Sequence, residues 1–154
     1  MPYEIYPRVF FGNEDFTETI QCQATMTHIL NVTDDEFSTH KNSRDVCEFL
    51  HLYTEDNYAY PIMEKIWPES RDFIDKALHE NEVNKVYIHC HMGINRSACI
   101  AVAYTAYKTK RTILDIIGEV RKSGVYILSN QGFIDMLYMQ YDSKYALGYK
   151  KVYQ

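Results

Sequence analysis

The sequence predicts an α/β fold with a central, mainly parallel twisted sheet flanked by helices. Two observations predict it. Short β-rich runs fill the first half, while stretches with apolar residues at helical spacing dominate the second. The apolar run "VYIHC" (Val86 to Cys90) then passes through five residues with a central glycine directly into a small, apolar stretch from Arg96, a strand–loop–helix unit. The chain has 154 residues, enough to bury a core without disulfide staples, and carries no repeat, low-complexity segment or linker. Residues 1–154 therefore read as one domain.

The elements follow in order. "IYPRVFFG" (Ile5 to Gly12) predicts an initial strand closing on Gly12, with Asn13 capping a short helix over Glu14 to Ala24. "THILNV" (Thr27 to Val32) is a β-rich run that stops at "TDDE", and "CEFLHLY" (Cys47 to Tyr53) is another strand. Residues Thr54 to Pro61 form a loop carrying Glu55 and Asp56. From Ile62 to about Glu80, apolar residues recur at helical spacing, with Pro68 placed to kink or restart the helix. Val86 to Cys90 is a short strand, and "RSACIAVAYTAYKT" (Arg96 to Thr109) is apolar on nearly every side, as a helix in the middle of the fold must be. Thr112 with Asp115 resembles a capping box opening a helix to about Lys122. Asn130 caps a last helix to about Tyr141.

Composition excludes several classes. Apolar content is 46%, charged content 24%, and no apolar run reaches the roughly 20 residues a membrane span needs. No signal peptide is visible, so the default compartment is the cytoplasm, with the nucleus also open. The net charge of −5 argues against a surface built for nucleic acid or anionic membrane. Cys22, Cys47, Cys90 and Cys99 show no CxxC and no framework, and read as free thiols, Cys47 and Cys99 packing as small hydrophobes. The fourteen tyrosines read as amphipathic core and rim packing.

The chemistry concentrates in "VYIHCHMGINRS". A tight loop at a helix N-terminus aims backbone N–H groups at one spot and favours an anion there. Gly93 lets the loop curl, and Arg96 can fork onto two phosphate oxygens. The same positive surroundings favour the thiolate of Cys90. One loop thus binds a phosphate and presents a nucleophile beneath its phosphorus. Ser97 can donate to Cys90 and help the thiolate leave in a second step. His-Cys-x-x-Gly-x-x-Arg-Ser arises by chance on the order of once in 10^5 chains. A purely structural Cys90 would leave the glycine and arginine idle. A metal site on His89, Cys90 and His91 fails because neighbours on a strand face opposite ways, and the Gly-Lys-Ser/Thr of a nucleotide loop is missing. His89 reads as a hydrogen-bonder orienting the loop rather than as a base. A thiolate attacking a phosphate ester also needs an acid for the leaving oxygen. Asp56 in "HLYTEDNYAY" is the first candidate, with Glu55 the alternative; Asp34 and Asp35 are weaker, since acids after a strand usually only solvate a turn.

"HCHMGINRS" resembles the HCxxGxxRS signature of the cysteine-dependent protein tyrosine phosphatase superfamily, and within it the chain resembles the small, atypical dual-specificity phosphatases. The resemblance spans nearly the whole chain: "EIYPRVFFGN" their first strand, "MTHILNVT" a THVLNVT-like strand, "FLHLYTED" the general-acid segment, "WPESRDFIDKAL" the helix before the signature strand, and "SNQGFIDML" their PNxGFxxQL segment. It implies Cys90 as nucleophile, Arg96 as phosphate clamp, Asp56 as general acid and Ser97 as helper in phosphoenzyme breakdown. The amides of His91, Met92, Gly93, Ile94, Asn95 and Arg96 would cradle the phosphoryl oxygens, and Asn130 would brace the loop from behind. No metal and no organic cofactor is implied. The implied partners are phosphorylated proteins, with no nucleic acid and no membrane, and the expected state is a monomer or weak dimer.

The chain departs from that pattern in places. The stretch from Asp56 to the following helix is about one residue longer than usual, and Ser129 stands where proline is common. The extra N-terminal helix of some relatives and a kinase-docking domain are not expected here. Nor is a tyrosine-recognition loop, and that last absence implies a shallow pocket open to phosphoserine and phosphothreonine as well as phosphotyrosine. An RNA 5′-triphosphatase on the same fold would tend to carry a second histidine where Met92 stands. Inositol-lipid loops carry lysines that "HMGIN" lacks, and a glucan phosphatase would bring a carbohydrate-binding module. A non-catalytic phosphoprotein reader would usually have lost the cysteine or the arginine, and both are present.

Overall fold

The computed structural model describes residues 2–142. Five strands, β1 (Tyr3–Tyr6), β2 (Val9–Gly12), β3 (His28–Asn31), β4 (Glu48–His51) and β5 (Val86–His89), form one sheet in the order β1-β2-β5-β3-β4. β1 pairs antiparallel with β2, and every other pairing is parallel. The helices are α1 (Ile20–Thr25), α2 (Lys41–Val46), α3 (Ile62–Lys65), α4 (Trp67–Glu80), α5 (Arg96–Thr109), α6 (Ile113–Lys122) and α7 (Gln131–Tyr141), with 3-10 turns at Glu14–Glu18 and Glu36–Ser38. None is long and apolar enough to cross a membrane.

The expected α/β fold with a mainly parallel sheet is therefore present, and the differences are local. The single strand expected over Ile5 to Gly12 is a hairpin. Pro7 cannot donate to a ladder, and Arg8 takes a left-handed φ of 71°. Its turn is held by Arg8 N–H donating to Glu4 Oε2 at 3.0 Å, while the Arg8 guanidinium satisfies the carbonyls of Leu78, Asn81 and Asn84. The helix expected over Glu14 to Ala24 breaks at Thr19. That residue is extended (φ −88°, ψ 148°), and its hydroxyl accepts from Cys22 N–H to start α1 afresh. The long helix from Ile62 restarts after Ile66, with Pro68 in the first turn of α4, where a missing N–H costs nothing. Helix α2 lay hidden in sequence because "KNSRDV" is short and polar.

The sheet is buried on both faces, and period-2 alternation sorts its side chains. Val86 and Ile88 of β5, Leu30 of β3 and Val9 and Phe11 of β2 face the larger core with α3 to α7; Tyr87 and Ile29 face the smaller one with Phe16, Cys22, Met26 and Cys47. Helix α5 is buried from Arg96 to Ala106, which is why its sequence shows no polar face. A buried β5 feeding a buried α5 leaves the five residues between them at the carboxyl edge of the sheet, on a rigid base.

Candidate active site

Gly93 determines the course of the loop. Its φ is +74°, and a Cβ there would lie 2.6 Å from the Gly12 carbonyl carbon and 2.8 Å from Asn13 N. Only glycine meets both demands. The loop is stitched to β2 and its turn by Cys90 N–H to Gly12 O (3.4 Å) and Glu14 N–H to His91 O (3.3 Å), and to the segment before α7 by Leu128 N–H to Ile94 O (2.8 Å).

Cys90 lies at the base of the loop, 2% exposed. Gly93 N–H donates to its Sγ at 3.3 Å, and Ser97 Oγ stands 3.2 Å from Sγ and 3.3 Å from Gly12 O. The Gly93 N–H is thus aimed at the sulfur, while the Ser97 hydroxyl beside it donates to Gly12 O. The other three thiols are buried; desolvation raises the pKa of Cys22 and Cys99 and carries Cys47 up to about 11.

Arg96 opens α5 and is 8% exposed. One terminal nitrogen donates to Thr54 O at 2.9 Å, while the buried Nε finds no hydrogen-bond partner among the described residues. A buried guanidinium N–H left unmatched is costly unless an anion completes it.

Asp56 is exposed and held by both carboxylate oxygens: Oδ1 accepts from Asn130 Nδ2 at 3.0 Å, and Oδ2 accepts from Asn95 Nδ2 at 3.1 Å. Asn130 also caps α7, its Oδ1 accepting from Phe133 N–H, and its own N–H donates to Asn95 Oδ1 at 2.9 Å. Asn130 thus braces the loop through Asn95 and positions Asp56 as well. Ser129, in the place where proline is common, joins the same network through Asn95. Glu55 takes no part in these bonds.

His89 is fully buried, its Nε2 2.6 Å from Thr39 Oγ1 and its Nδ1 3.1 Å from Cys90 O. Burial lowers its pKa to about 4, so the ring stays neutral and orients the loop, as a hydrogen-bonding histidine would. His91 is different. Its Nδ1 lies 2.7 Å from Glu14 Oε2 and its Nε2 2.7 Å from Asp34 Oδ1. Burial pulls its pKa down, but the bonds to Glu14 and Asp34 outweigh burial and hold it above the ordinary imidazole value. The His91 hydrogen bond in turn holds the Asp34 carboxyl below its usual range. Asp34 also stands 3.8 Å from Arg96. A turn acid has become part of the loop's surroundings because buried Asn31 builds that turn: its Oδ1 accepts from Thr33 N–H and Oγ1–H, and its Nδ2 donates to Asp35 O and Thr39 Oγ1. Asn31, Thr39 and Glu14 were missed in sequence; a polar Asn inside the β-rich "HILN" was the available signal. Met92, 72% exposed, projects from the loop rim.

Among the described residues, one group has metal-ligand spacing: His28, Glu48 and Glu80, with ligand atoms within 4.8 Å of one another. It sits at the amino ends of β3 and β4 and takes no part in the loop.

A thiol under the Gly93 amide, an arginine whose buried Nε has no partner among the described residues, and a carboxylate braced by Asn95 and Asn130 can together receive a tetrahedral oxyanion and act on its central atom. Residues 9–143 match the family model "Dual specificity phosphatase, catalytic domain", and the chain belongs to that family. It is 30% identical over 141 residues to a Protein phosphatase Slingshot homolog of Xenopus laevis, covering 88% of this chain and 19% of that protein. The chain thus spans about a fifth of that relative's length. Its structure is similar to the human tyrosine phosphatase-like serine/threonine/tyrosine-interacting protein (TM-score 0.80, 25% identity, 94% of this chain and 97% of the other). It also shares its fold with DUSP15 (TM-score 0.79, 19% identity, 92% and 88% covered).

Proposed function

We propose that residues 1–154 form one catalytic domain, a metal-independent protein phosphatase that hydrolyses phosphotyrosine and phosphoserine or phosphothreonine monoesters. The observation that carries this reading is the pairing, across one five-residue loop, of Cys90 beneath the Gly93 amide with a buried, unmatched N–H of Arg96. In the first step the Cys90 thiolate forms a sulfur–phosphorus bond while the ester's phosphorus–oxygen bond breaks, and protonated Asp56 gives its proton to the leaving oxygen. In the second, water attacks phosphorus, Asp56 takes its proton, and the sulfur leaves as thiolate, assisted by Ser97. Arg96 and the loop amides hold the equatorial oxygens in both. Asp56 is preferred over Glu55 because Asn95 and Asn130 bracket its carboxylate.

The test is hydrolysis of a small aryl phosphate in EDTA under reducing conditions, comparing the chain with Cys90→Ser. Turnover by the former, none by the latter, and inhibition by vanadate support the reading; an inert protein with an intact fold overturns it. One likeness favours a second reading. The human neighbour is itself named phosphatase-like and interacting, so binding of phosphoproteins without turnover is the function to test if hydrolysis fails.

A further inference from the structure

The segments that surround Cys90 have an unusual charge composition. Five of them meet at the carboxyl edge of the sheet: "NEDFTET" (13–19) after β2, "TDDEFSTH" (33–40) after β3, "YTEDNYAYP" (53–61) after β4, "HMGIN" (91–95) after β5, and "SGVYILSN" (123–130) before α7. Together they hold eight aspartates and glutamates and not one lysine or arginine, in a chain with 16 lysines and arginines. Three of these carboxylates are bonded to the loop itself. Glu14 and Asp34 are tied to His91 on one side of the loop, and Asp56 is tied to Asn95 on the other. Two carboxylates share the imidazole of His91, and one of them, Asp34, also stands 3.8 Å from Arg96.

Several cations beside these segments have partners of their own, among them Arg121, which donates to Ile127 O and Leu128 O. Arg96 lies inside the pocket, Lys41 pairs with Asp45 at 2.7 Å, and Arg44 donates to Thr39 O with its guanidinium 5.2 Å from the Phe37 ring centre. The same segments also expose apolar surface: Phe37, Tyr53, Tyr58, Met92 and Tyr126 are each more than half exposed. Phe37 shows what such a ring does beside a guanidinium.

We propose that this edge selects phosphopeptides with lysine or arginine flanking the phosphorylated residue. The inference rests on the reading of the loop as a phosphate pocket. The phosphate dianion is neutralised locally by Arg96 and the amides, deep in the loop, while the flanking residues meet the acidic, aromatic rim. Basic side chains there gain from the carboxylates and from cation–π contact with the exposed rings. Acidic flanks, and polyanions as a class, meet like charge.

The experiment measures binding to the Cys90→Ser protein, so that it reads recognition whether or not the chain catalyses. Its probes are matched phosphotyrosine peptides with arginine or glutamate at the flanking positions, a 5′-triphosphorylated RNA and a phosphoinositide vesicle. The arginine peptide is expected to bind about tenfold more tightly than the glutamate peptide at low salt, with the gap closing as salt rises. Reversing two exposed rim charges, Asp15→Lys with Glu36→Lys, narrows that gap in the Cys90→Ser background and leaves aryl phosphate turnover unchanged in the otherwise native chain. Equal binding, tighter binding of the glutamate peptide, or tighter binding of the RNA or the vesicle overturns the inference. Failure of aryl phosphate hydrolysis with a retained arginine preference overturns the catalytic reading and leaves this one standing.

Discussion

His91 follows Cys90 and holds two carboxylates at once, which gives the site a proton-dependent clasp. Glu14 and Asp34 face it from two different turns, with Arg96 behind Asp34 and neutral His89 beneath the loop. His91 binds its proton more tightly folded than unfolded, so its contribution is complete below the ordinary imidazole pKa and is lost as pH rises through its raised value. Asp34 contributes above the ordinary carboxylate pKa and loses that contribution as pH falls through its lowered one. His91→Asn is therefore expected to lower Tm most at about pH 6, with the difference from the parent shrinking towards pH 9. Parallel Tm curves across that range would show that the bridge does not carry the charge assigned to it. Cys90, Arg96 and Gly93 were legible in sequence because each carries one chemical or backbone requirement at a set spacing along one loop. Asp34 was not: it reads as a turn acid until Asn31 and Thr33 fold that turn towards the loop.

At the scale of the element, α7 connects its own cap to the site. Asn130 begins the helix and holds Asp56, and Gly132 lets the Asp56 segment come close: a Cβ at Gly132 would lie 2.0 Å from the Tyr58 carbonyl oxygen. That atom is backbone and cannot rotate away. Gly132→Ala is expected to push the Asp56 segment outward, lowering kcat for phosphopeptides by about 10^2-fold while the far-UV spectrum stays that of a folded chain. Unchanged kcat would mean that Asp56 is not positioned by this contact. Most elements were legible from periodicity and caps, including the Thr112 and Asn130 starts of α6 and α7. Misreadings fell where backbone punctuation outweighed propensity: the Pro7–Arg8 turn, the extended Thr19, and the short polar α2.

At the scale of the whole molecule, β5 is the base on which the loop stands. Ile88 is fully buried, in register with Phe11 of β2 on one side and Leu30 of β3 on the other. Ile88→Ala is expected to cost about 2–5 kcal/mol in urea unfolding, a large share of a typical domain's stability. A cost under about 1 kcal/mol would mean that the core collapses around the site and that β5 is not the rigid base described. The fold class, the strand–loop–helix unit and the thiol and arginine within it are readable along the chain. Those depend on hydrophobic periodicity and on residue types within a few positions of one another, which a linear reading can follow. Tertiary structure alone decided that Asp34 and Glu14 share His91, that Asn95 and Asn130 bracket Asp56, and that five segments without lysine or arginine meet around one pocket. Each of these joins residues tens of positions apart, brought together by the parallel strand order and by buried polar side chains whose hydrogen bonds had to be satisfied within the fold.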